Sequence, residues 1–529
     1  MTEPKKLISP WFNYSPVFLL SLLCLFLYLP ALYHDFVIDD PMLVVNNPYI
    51  KSWQYLPQML TQDAWNIWEH HNYWRPVFSL SLALDYSVWG LNPFGFHLTN
   101  VLLHTFNTLL LCGLARKWLS PTGAVLTSLF FALHPIQTHA VNVISTRGDL
   151  LATFFALLSL YAFFSKSIVP FAFSLMGALL SKETSMALPL ALLSAWIILP
   201  RGEQNTRLIL SFVILGLYLG IRLSLGFSFS LPPSSFSYHV SWDTRLLLVF
   251  KVLALYFVAL FNLFEMPRPF WTVEIPASVG DPYVIAGILI FGLLLGAIWK
   301  SLKNNPLIAF GLSWFVIYFL PISNLKELNQ PMAEHWLYMP LVGLSLAFGA
   351  ALTAPGIQLS KARLLRVGVT AAVFVFLIFA ALVVREKIGI YQNDETFLLA
   401  AVRTNPQIAG LYSNLGDIYL ARQDVPRARE FYSKALYLDP NNFLANYRTG
   451  FLFHKAGQHD KAKTYLEKVA QSSGGRLWEI LAAAHAWEMF GGKQKALFYY
   501  RKALDTYPDS VEIKQKIATL EETMPLSQR

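Results

Sequence analysis

Long apolar runs are the feature that most constrains this chain. Only 14% of its 529 residues are charged and its mean hydropathy is +0.44, whereas about 25% of the residues of a soluble domain are charged. An α-helix needs about 20 apolar residues to cross the hydrocarbon core of a bilayer. Apolar segments lie at about 16–33, 95–116, 121–138, 149–165, 168–181, 184–200, 207–226, 245–263, 283–300, 306–324, 335–354 and 366–386. The sequence therefore predicts an all-α, polytopic membrane protein.

The positive net charge follows from membrane topology. Lys and Arg outnumber Asp and Glu by 41 to 32, a net charge of +9, and they cluster in short loops, as cytoplasmic loops do. No nucleic-acid partner is needed to explain this charge. The loops 299–303 and 361–366 face the cytoplasm only if one segment does not span, and we select 245–263, which carries Lys251. This predicts about eleven spans and places the chain after residue 386 outside the cytoplasm.

The first apolar run and the two cysteines argue against a cleaved signal peptide and against a disulfide framework or metal site. The run follows Lys5 and Lys6 but lacks an Ala-x-Ala-like cleavage site, so we expect a retained anchor with its N-terminus in the cytoplasm. Cys24 and Cys112 both lie inside apolar runs and have neither disulfide-framework nor metal-site spacing.

The C-terminal part carries an internal repeat. Ala428, Ala462 and Ala496 are spaced by steps of 34 residues, the period of tetratricopeptide repeats. We expect a membrane domain at 1–390 and an α-solenoid at 391–529, with about three repeats after a half-repeat. Such solenoids form a groove that holds an extended peptide or another protein. The alternative is a structural cap that grips only loops of the same chain.

Polar residues of the apolar part supply a candidate site. Two loops, about 34–94 and 321–338, lie on the same non-cytoplasmic side of the predicted topology, and ionisable residues near hydrocarbon indicate function. A pocket at that face could bind a lipid phosphate through Arg, Lys and His while a carboxylate acts as base. The candidates are Asp39, Asp40, Arg75, His97, His134, Arg147, Lys182, Glu183, Glu334 and His335.

Taken singly, these residues have simpler interpretations. A His in an apolar helix is usually a packing residue, Arg147 and Asp149 could form one charge couple, and Lys182 with Glu183 could be a loop pair. His134 and His139 lack the spacing and supporting carboxylate of a zinc site, so no metal site is predicted.

The order of motifs resembles one family. The stretches "DFVIDDPMLVVNNPYI", "NYWRPVFSLSLALDY", "FGFHLTNVLLH", "LHPIQTHAVNVISTRGDLL", "SKETSMALP" and "AEHWLYMPLVGL", followed by the repeats, are similar to glycosyltransferases of the GT-C fold that end in tetratricopeptide repeats. That group includes cadherin-directed O-mannosyltransferases and bacterial homologues. Relatives often have an acidic residue at the position of His139 and an Arg at that of His335, which bears on donor choice.

The resemblance implies a function and assigns roles. It implies transfer of a sugar, with mannose as a candidate, from a polyprenyl-phosphate-linked donor to an acceptor outside the cytoplasm. It also implies that Asp39 and Asp40 form the catalytic motif, either of them as base, while the other candidates bind donor phosphate or sugar. We expect an inverting transfer to Ser or Thr of proteins held by the repeats, at the periplasmic side of a bacterial inner membrane. No cofactor is required, although a divalent cation is compatible with two acids facing a phosphate.

Two other functions stay open at this point. One keeps the chemistry and changes the acceptor to a lipid or polysaccharide. The other is a non-enzymatic membrane scaffold that recruits partners through its repeats. A transporter ranks last, because the sequence shows no internal symmetry of the kind that transporters have.

Overall fold

The computed structural model of the chain describes residues 11–65, 72–165, 167–199, 204–227, 240–261, 271–354, 363–471, 477–506 and 510–524. It divides into two compact units, Met1–Asn393 and Asp394–Arg529. Throughout these described ranges the regular elements are helical and no strand occurs. The predicted all-α class is therefore confirmed.

The first unit is a helix bundle whose helices follow the apolar runs of the sequence. Proline often opens a helix, since its missing N–H is not needed in the first turn, and Asn92, Ser120, Asp281 and Asn305 cap such helices with their side chains. The α-helices are Trp11–Tyr28, Leu56–Thr61, Pro76–Trp89, Pro93–Ala115, Pro121–Leu133, Gln137–Asn142, Arg147–Phe163, Ile168–Leu179, Leu188–Ile198, Asn205–Ser224, Trp242–Phe261, Pro282–Asn304, Pro306–Phe319, Tyr338–Leu352 and Arg363–Ile390. Short 3-10 or π turns lie at Leu29–Tyr33, Pro41–Val45, Tyr49–Lys51, Trp53–Tyr55, Ile144–Thr146, Glu183–Ala187, Leu320–Ile322 and Glu334–Leu337.

Several helices are suited to a membrane. By length and composition, those able to cross one among the described residues are Pro93–Ala115, Asn205–Ser224, Trp242–Phe261, Pro282–Asn304 and Glu334–Leu352. Five shorter apolar helices accompany them, Val17–Tyr33, Pro121–Leu133, Ile168–Leu179, Glu183–Ile198 and Pro306–Ile322. The chain is thus a membrane protein. Trp242–Phe261 is the segment that we expected not to span, and its length and composition give no reason to set it apart.

Small residues let neighbouring helices of this bundle approach closely. Gly311 of Pro306–Phe319 and Gly343 of Tyr338–Leu352 face each other, and a Cβ on either one would overlap the backbone oxygen of the other. Trp314 packs beside this contact and donates its indole N–H to Met339 O at 3.0 Å. Glycine pairs of this type are common where membrane helices pack without a hydrophobic driving force.

The second unit consists of paired helices. Its helices are Asp394–Thr404, Ala409–Ala421, Val425–Leu438, Phe443–Lys455, His459–Gln471, Leu477–Met489, Lys493–Thr506 and Val511–Glu522. The three alanines of the 34-residue period, Ala428, Ala462 and Ala496, are fully buried. Gly416 is needed for the same packing, because a Cβ there would overlap the ring of Tyr432.

An ion pair joins consecutive helix pairs of this unit. Arg448 donates through Nε and Nη2 to the two carboxylate oxygens of Asp417, at 2.9 and 2.8 Å. Asp417 also accepts a hydrogen bond from the Tyr432 hydroxyl at 2.5 Å. Neighbouring pairs of a solenoid are therefore linked by polar contacts as well as by apolar packing.

Candidate active site

The loop that follows the turn Leu29–Tyr33 contains a strained turn. Ile38 has φ +59°, in the left-handed region that a β-branched side chain rarely adopts. The turn is closed from both sides, since Asp40 N–H donates to Val37 O at 3.0 Å and Val37 N–H donates to Asp40 Oδ2 at 3.3 Å. Strain of this kind persists only where the surroundings fix it, and it clusters at functional sites.

The two adjacent aspartates have different environments. Asp40 is fully buried and also accepts the N–H groups of Ser145 at Oδ1, 2.6 Å, and Ile144 at Oδ2, 3.2 Å. Burial raises the pKa of the Asp40 carboxyl to about 7, although these backbone N–H groups oppose the rise. Asp39, by contrast, is exposed. Asp40 therefore fixes the loop to the 144–145 turn, and Asp39 is the exposed member of the pair.

A group of oppositely charged side chains lies beside this loop. Arg75 donates to Glu183 Oε2 from Nε at 2.9 Å and approaches it with Nη2 at 2.8 Å. The guanidinium of Arg75 also lies 4.4 Å from the ring centroid of Tyr73, a cation–π arrangement. Arg222 approaches Glu183 from another side at 3.7 Å and donates to Asn72 O at 2.6 Å. One carboxylate is thus shared by two guanidinium groups.

A second ion pair adjoins the first. Lys182 Nζ lies 2.6 Å from Asp149 Oδ2, and both side chains are buried. Burial lowers the pKa of Lys182, while Asp149 opposes that effect; Arg75 and Glu183 also act on it electrostatically. Because Lys182 and Glu183 are adjacent, the two ion pairs form one electrostatic group.

Asp39 belongs to the same group. Burial raises the pKa of Tyr73 to about 12 against the opposing charge of Arg75, and the carboxylates of Glu183, Asp63 and Asp39 add to the rise. The exposed acid therefore lies within electrostatic range of the Tyr73 phenol. We name the full set the acid–base cluster: Asp39, Tyr73, Arg75, Asp149, Lys182, Glu183 and Arg222.

A pair of histidines lies near this cluster. The rings of His139 and His335 are 4.7 Å apart, and His139 also contacts the ring of Tyr391 at 5.4 Å. His335 is within electrostatic range of Lys182 and Arg75. Burial lowers the pKa of His139 to about 3, so its imidazole is neutral at pH 7.

Glu334 has a partner that was not expected. Its Oε2 lies 2.7 Å from Lys387 Nζ, and its Oε1 accepts from the Trp271 indole at 3.4 Å. Lys387 also affects the neighbouring His134 and His139 electrostatically. The loop near residue 334 is therefore tied to the last helix of the first unit.

Arg147 lies apart from the acid–base cluster. It is fully buried and pairs with Asp85 at 2.6 Å, and it donates to Asn100 Oδ1 at 2.7 Å and Phe96 O at 2.8 Å. It does not pair with Asp149, which corrects the charge couple considered above. Its donors are used inside the bundle, and its role in donor binding stays a prediction.

His97 and His134 are likewise enclosed by the bundle. His97 Nε2 lies 3.3 Å from Asp35 O, and His134 Nδ1 accepts from Ile136 N–H at 3.2 Å. Both side chains are buried. Both rings therefore contact backbone groups of the bundle, and their role in binding a donor stays a prediction.

The local pairing of Lys182 with Glu183 is also corrected. Each of these neighbours pairs with a residue from another segment, Lys182 with Asp149 and Glu183 with Arg75. A backbone bond from Val77 N–H to Leu180 O, 3.1 Å, brings the two segments together.

Tyr73, Arg222 and Lys387 were not predicted from the sequence. The last two carried a usable signal, because each is a charged residue in or beside an apolar run. Tyr73 carried none, since tyrosines are abundant in this chain.

Metal-ligand geometry is not apparent in the part of the chain that the structure describes. No group there of three or more His, Cys, Asp and Glu is arranged to hold a metal ion.

Comparisons with known proteins identify the repeats and several relatives of the chain. Family models described as "TPR repeat" and "Tetratricopeptide repeat" match residues 416–457 and 444–473. Protein O-mannosyl-transferase F38B6.6 of Caenorhabditis elegans is 25% identical over 443 residues, 78% of this chain and 61% of that protein. Protein O-mannosyl-transferase TMTC4 of Homo sapiens is 25% identical over 455 residues, 72% of this chain and 61% of that protein.

Similarity is higher over a shorter region in a third relative. Protein O-mannosyl-transferase TMTC1 of Homo sapiens is 38% identical over 142 residues, 26% of this chain and 16% of that protein. Among solved structures, ArnT from Cupriavidus metallidurans in the apo state aligns with a TM-score of 0.39 and 15% identity, over 93% of this chain and 80% of that chain.

The chain spans about 61% of the length of the first two relatives. Its similarity to them covers 78% and 72% of its own residues, which includes more than the repeats. The chain is therefore similar to proteins named protein O-mannosyl-transferases, and its C-terminal unit contains tetratricopeptide repeats.

Proposed function

We propose that this chain is a membrane glycosyltransferase that moves a sugar from a polyprenyl-phosphate-linked donor to Ser or Thr hydroxyls of proteins. The observation that carries the proposal is the exposed Asp39 within electrostatic range of Tyr73, which stacks with Arg75. Displacement of a phosphate by a hydroxyl uses a base that accepts the hydroxyl proton and cations that stabilise the leaving phosphate. The names of the relatives support mannose as the sugar.

Asp39 is our choice of base. It is exposed, so that an acceptor hydroxyl can reach it, whereas both oxygens of Asp40 are occupied by backbone N–H groups. In the proposed step the hydroxyl oxygen attacks the anomeric carbon as its proton passes to Asp39. The bond between that carbon and the phosphate oxygen breaks, and the bonding electrons leave with the phosphate. Attack from the opposite face gives inversion.

Cations of the acid–base cluster are our choice for the leaving phosphate. Arg75, Lys182 and Arg222 converge on Glu183 and Asp149, and a phosphate can share or replace these carboxylates as a partner of the guanidinium groups. In this proposal, the residues that contact the sugar are His335, Glu334 and the neutral His139. No cofactor is needed for this step, and a divalent cation at Asp39 is compatible with it.

The two units have separate roles in this proposal. The membrane domain, about 1–390, carries out the transfer, and the repeats of 391–529 hold the acceptor polypeptide. We place the acid–base cluster and the repeats outside the cytoplasm, at the periplasmic side of a bacterial inner membrane. This placement rests on the distribution of basic loops.

Glycopeptide analysis of extracytoplasmic proteins tests the proposal. Cells with the wild-type gene should carry hexose on Ser or Thr residues that cells without the gene lack. Asp39→Asn at an unchanged protein level should match the cells without the gene. As a matched control, Asp35→Asn changes another exposed acid of the same loop and should keep the modification.

Other outcomes of the same experiment assign other functions. A change confined to lipid or polysaccharide would replace the protein acceptor by one of these. A phenotype of the deletion that Asp39→Asn fully restores would favour a membrane scaffold over an enzyme.

A further inference from the structure

A cavity of about 380 Å³ lies in the first unit, where its first and last long helices end together. The turn Leu29–Tyr33 contacts the helix Arg363–Ile390, and Asp35 N–H donates to Gln392 O at 3.0 Å. The cavity is lined by Pro30, Tyr33, His34, Arg385, Ile388, Gly389 and Gln392. None of these residues belongs to the acid–base cluster, so the cavity is a separate feature.

The polar lining of this cavity is rich in hydrogen-bond donors. Arg385 is exposed, and among the described residues it has no ion-pair partner. His34 is only 5% exposed, and its Nδ1 has no hydrogen-bond partner within the described part of the chain. Gln392 adds a side-chain amide at the rim. A buried imidazole nitrogen without a partner is unusual, because buried polar atoms are normally satisfied.

Negative charge is excluded from the lining. All seven lining residues are neutral or cationic, and the nearby acids Asp35 and Glu386 do not line the cavity. A guanidinium with two neutral donors suits an anion that offers several acceptor oxygens, of which phosphate is the best match in size and charge.

The surroundings of the cavity are apolar and exposed. On the first helix and the turn after it, Phe26 is 72% and Leu29 46% exposed. On the last helix, Ile378 and Leu382 are 53% and 64% exposed. Exposed apolar side chains on helices of a membrane protein contact lipid chains. The cavity therefore lies at the end of a lipid-facing surface.

We propose that this cavity binds the phosphate group of an anionic membrane lipid. Arg385 supplies the charge, His34 and Gln392 supply hydrogen bonds, and the lipid chains lie along the exposed apolar side chains of the two helices. The volume accommodates a phosphate headgroup. This proposal is independent of sugar transfer, since it involves no residue of the acid–base cluster and no bond is made or broken.

Native mass spectrometry of the full-length protein tests this binding. Lipid adducts are measured while phosphatidylglycerol, phosphatidylcholine or inorganic phosphate is titrated. We expect Arg385→Gln to weaken phosphatidylglycerol binding about tenfold, the effect of one lost charge-assisted hydrogen bond. Gln392→Leu should weaken it less. Lys303→Gln is the matched control, an exposed cation near the end of another membrane helix and outside the cavity, and it should leave binding unchanged.

The competing results are distinct. Equal affinity of wild type and Arg385→Gln for phosphatidylglycerol, or equal affinity of the wild type for phosphatidylglycerol and phosphatidylcholine, would overturn the proposal. Inorganic phosphate that binds wild type but not Arg385→Gln, and displaces the lipid, would assign the cavity to soluble phosphate instead. Failure of Asp39→Asn to affect transfer would leave this result untouched.

Discussion

At the scale of single residues, the two adjacent aspartates differ in what their carboxylates contact. Asp40 accepts three backbone N–H groups that come from two segments, at 36–40 and 143–146. Asp39 one residue before it is exposed. Asp39 and Asp40 are adjacent in the sequence, but successive residues of a turn point to different sides. Their carboxylates therefore have different environments, which adjacency in the sequence does not indicate.

Asp40→Ala is therefore expected to destabilise the fold. The substitution would leave three N–H groups without their acceptor. Each buried donor without an acceptor lowers the free energy of unfolding by up to about 3 kcal/mol. We expect a loss of roughly 2–4 kcal/mol, whereas Asp39→Ala at an exposed position should stay within about 0.5 kcal/mol. Thermal unfolding of both variants in detergent checks this. Equal stability of the two would contradict a structural role for Asp40.

The buried Asp40 carboxyl also makes stability depend on pH. Its pKa is about 7 in the folded protein against 3.8 in a model compound, so the folded state holds the proton more tightly. Its contribution to stability is greatest below about pH 4 and decreases as pH rises through 7. Between pH 4 and pH 8, the unfolding temperature of the wild type should decrease relative to that of Asp40→Ala as the pH rises. A difference that grows with pH would contradict the assignment.

At the scale of elements, close helix contacts specify the bundle. The approach of Pro306–Phe319 to Tyr338–Leu352 depends on Gly311 and Gly343, where any Cβ would overlap backbone. Backbone atoms cannot move aside as a flexible side chain can. A Cβ at either glycine would therefore force the two helices apart and destabilise their packing.

Gly343→Ala is expected to destabilise the membrane unit by about 1–3 kcal/mol, the usual cost of overpacking. Gly292→Ala on the helix Pro282–Asn304 is the matched control, because nothing lies within 4 Å of a Cβ there. The control should be neutral or slightly stabilising, since Ala favours a helix over Gly. Unfolding midpoints of the two variants measure this, and equal midpoints would show that the contact does not constrain packing.

Sequence patterns predicted the helices well because each depends on local information. Apolar runs of known length and a 34-residue period are properties of contiguous residues, and the observed helices follow them. The charge pairs were not predictable in the same way. Arg75 and Glu183 are 108 residues apart, and Lys387 and Glu334 are 53 apart. Only the packing of the bundle decides which acid meets which cation.

The same reason explains the errors at the site. Arg147 and Asp149 are two residues apart, yet Arg147 pairs with Asp85 of the helix Pro76–Trp89, and Asp149 pairs with Lys182 just before the turn Glu183–Ala187. Successive positions on a helix point about 100° apart, so i and i+2 side chains rarely meet. His97 and His134 are buried and hydrogen-bonded to backbone groups, and their role in donor binding stays a prediction.

At the scale of the whole molecule, the chain combines a membrane unit that has a charged, partly buried cluster with a repeat unit suited to binding polypeptides. Each unit supports one half of the proposal. The acid–base cluster supports a phosphate-linked donor, and the repeats support a protein acceptor. We propose that the two units together transfer a sugar and that Asp39 is the base.

The most direct test is a transfer assay with the purified full-length protein. Polyprenyl-phosphate-linked sugars, mannose first, are incubated with Ser- and Thr-containing polypeptides, and glycopeptides are quantified by mass spectrometry. We predict transfer by wild type and by Asp35→Asn, and a decrease of at least about 100-fold in Asp39→Asn, the typical contribution of a general base. Transfer by Asp39→Asn at the wild-type rate would contradict the account.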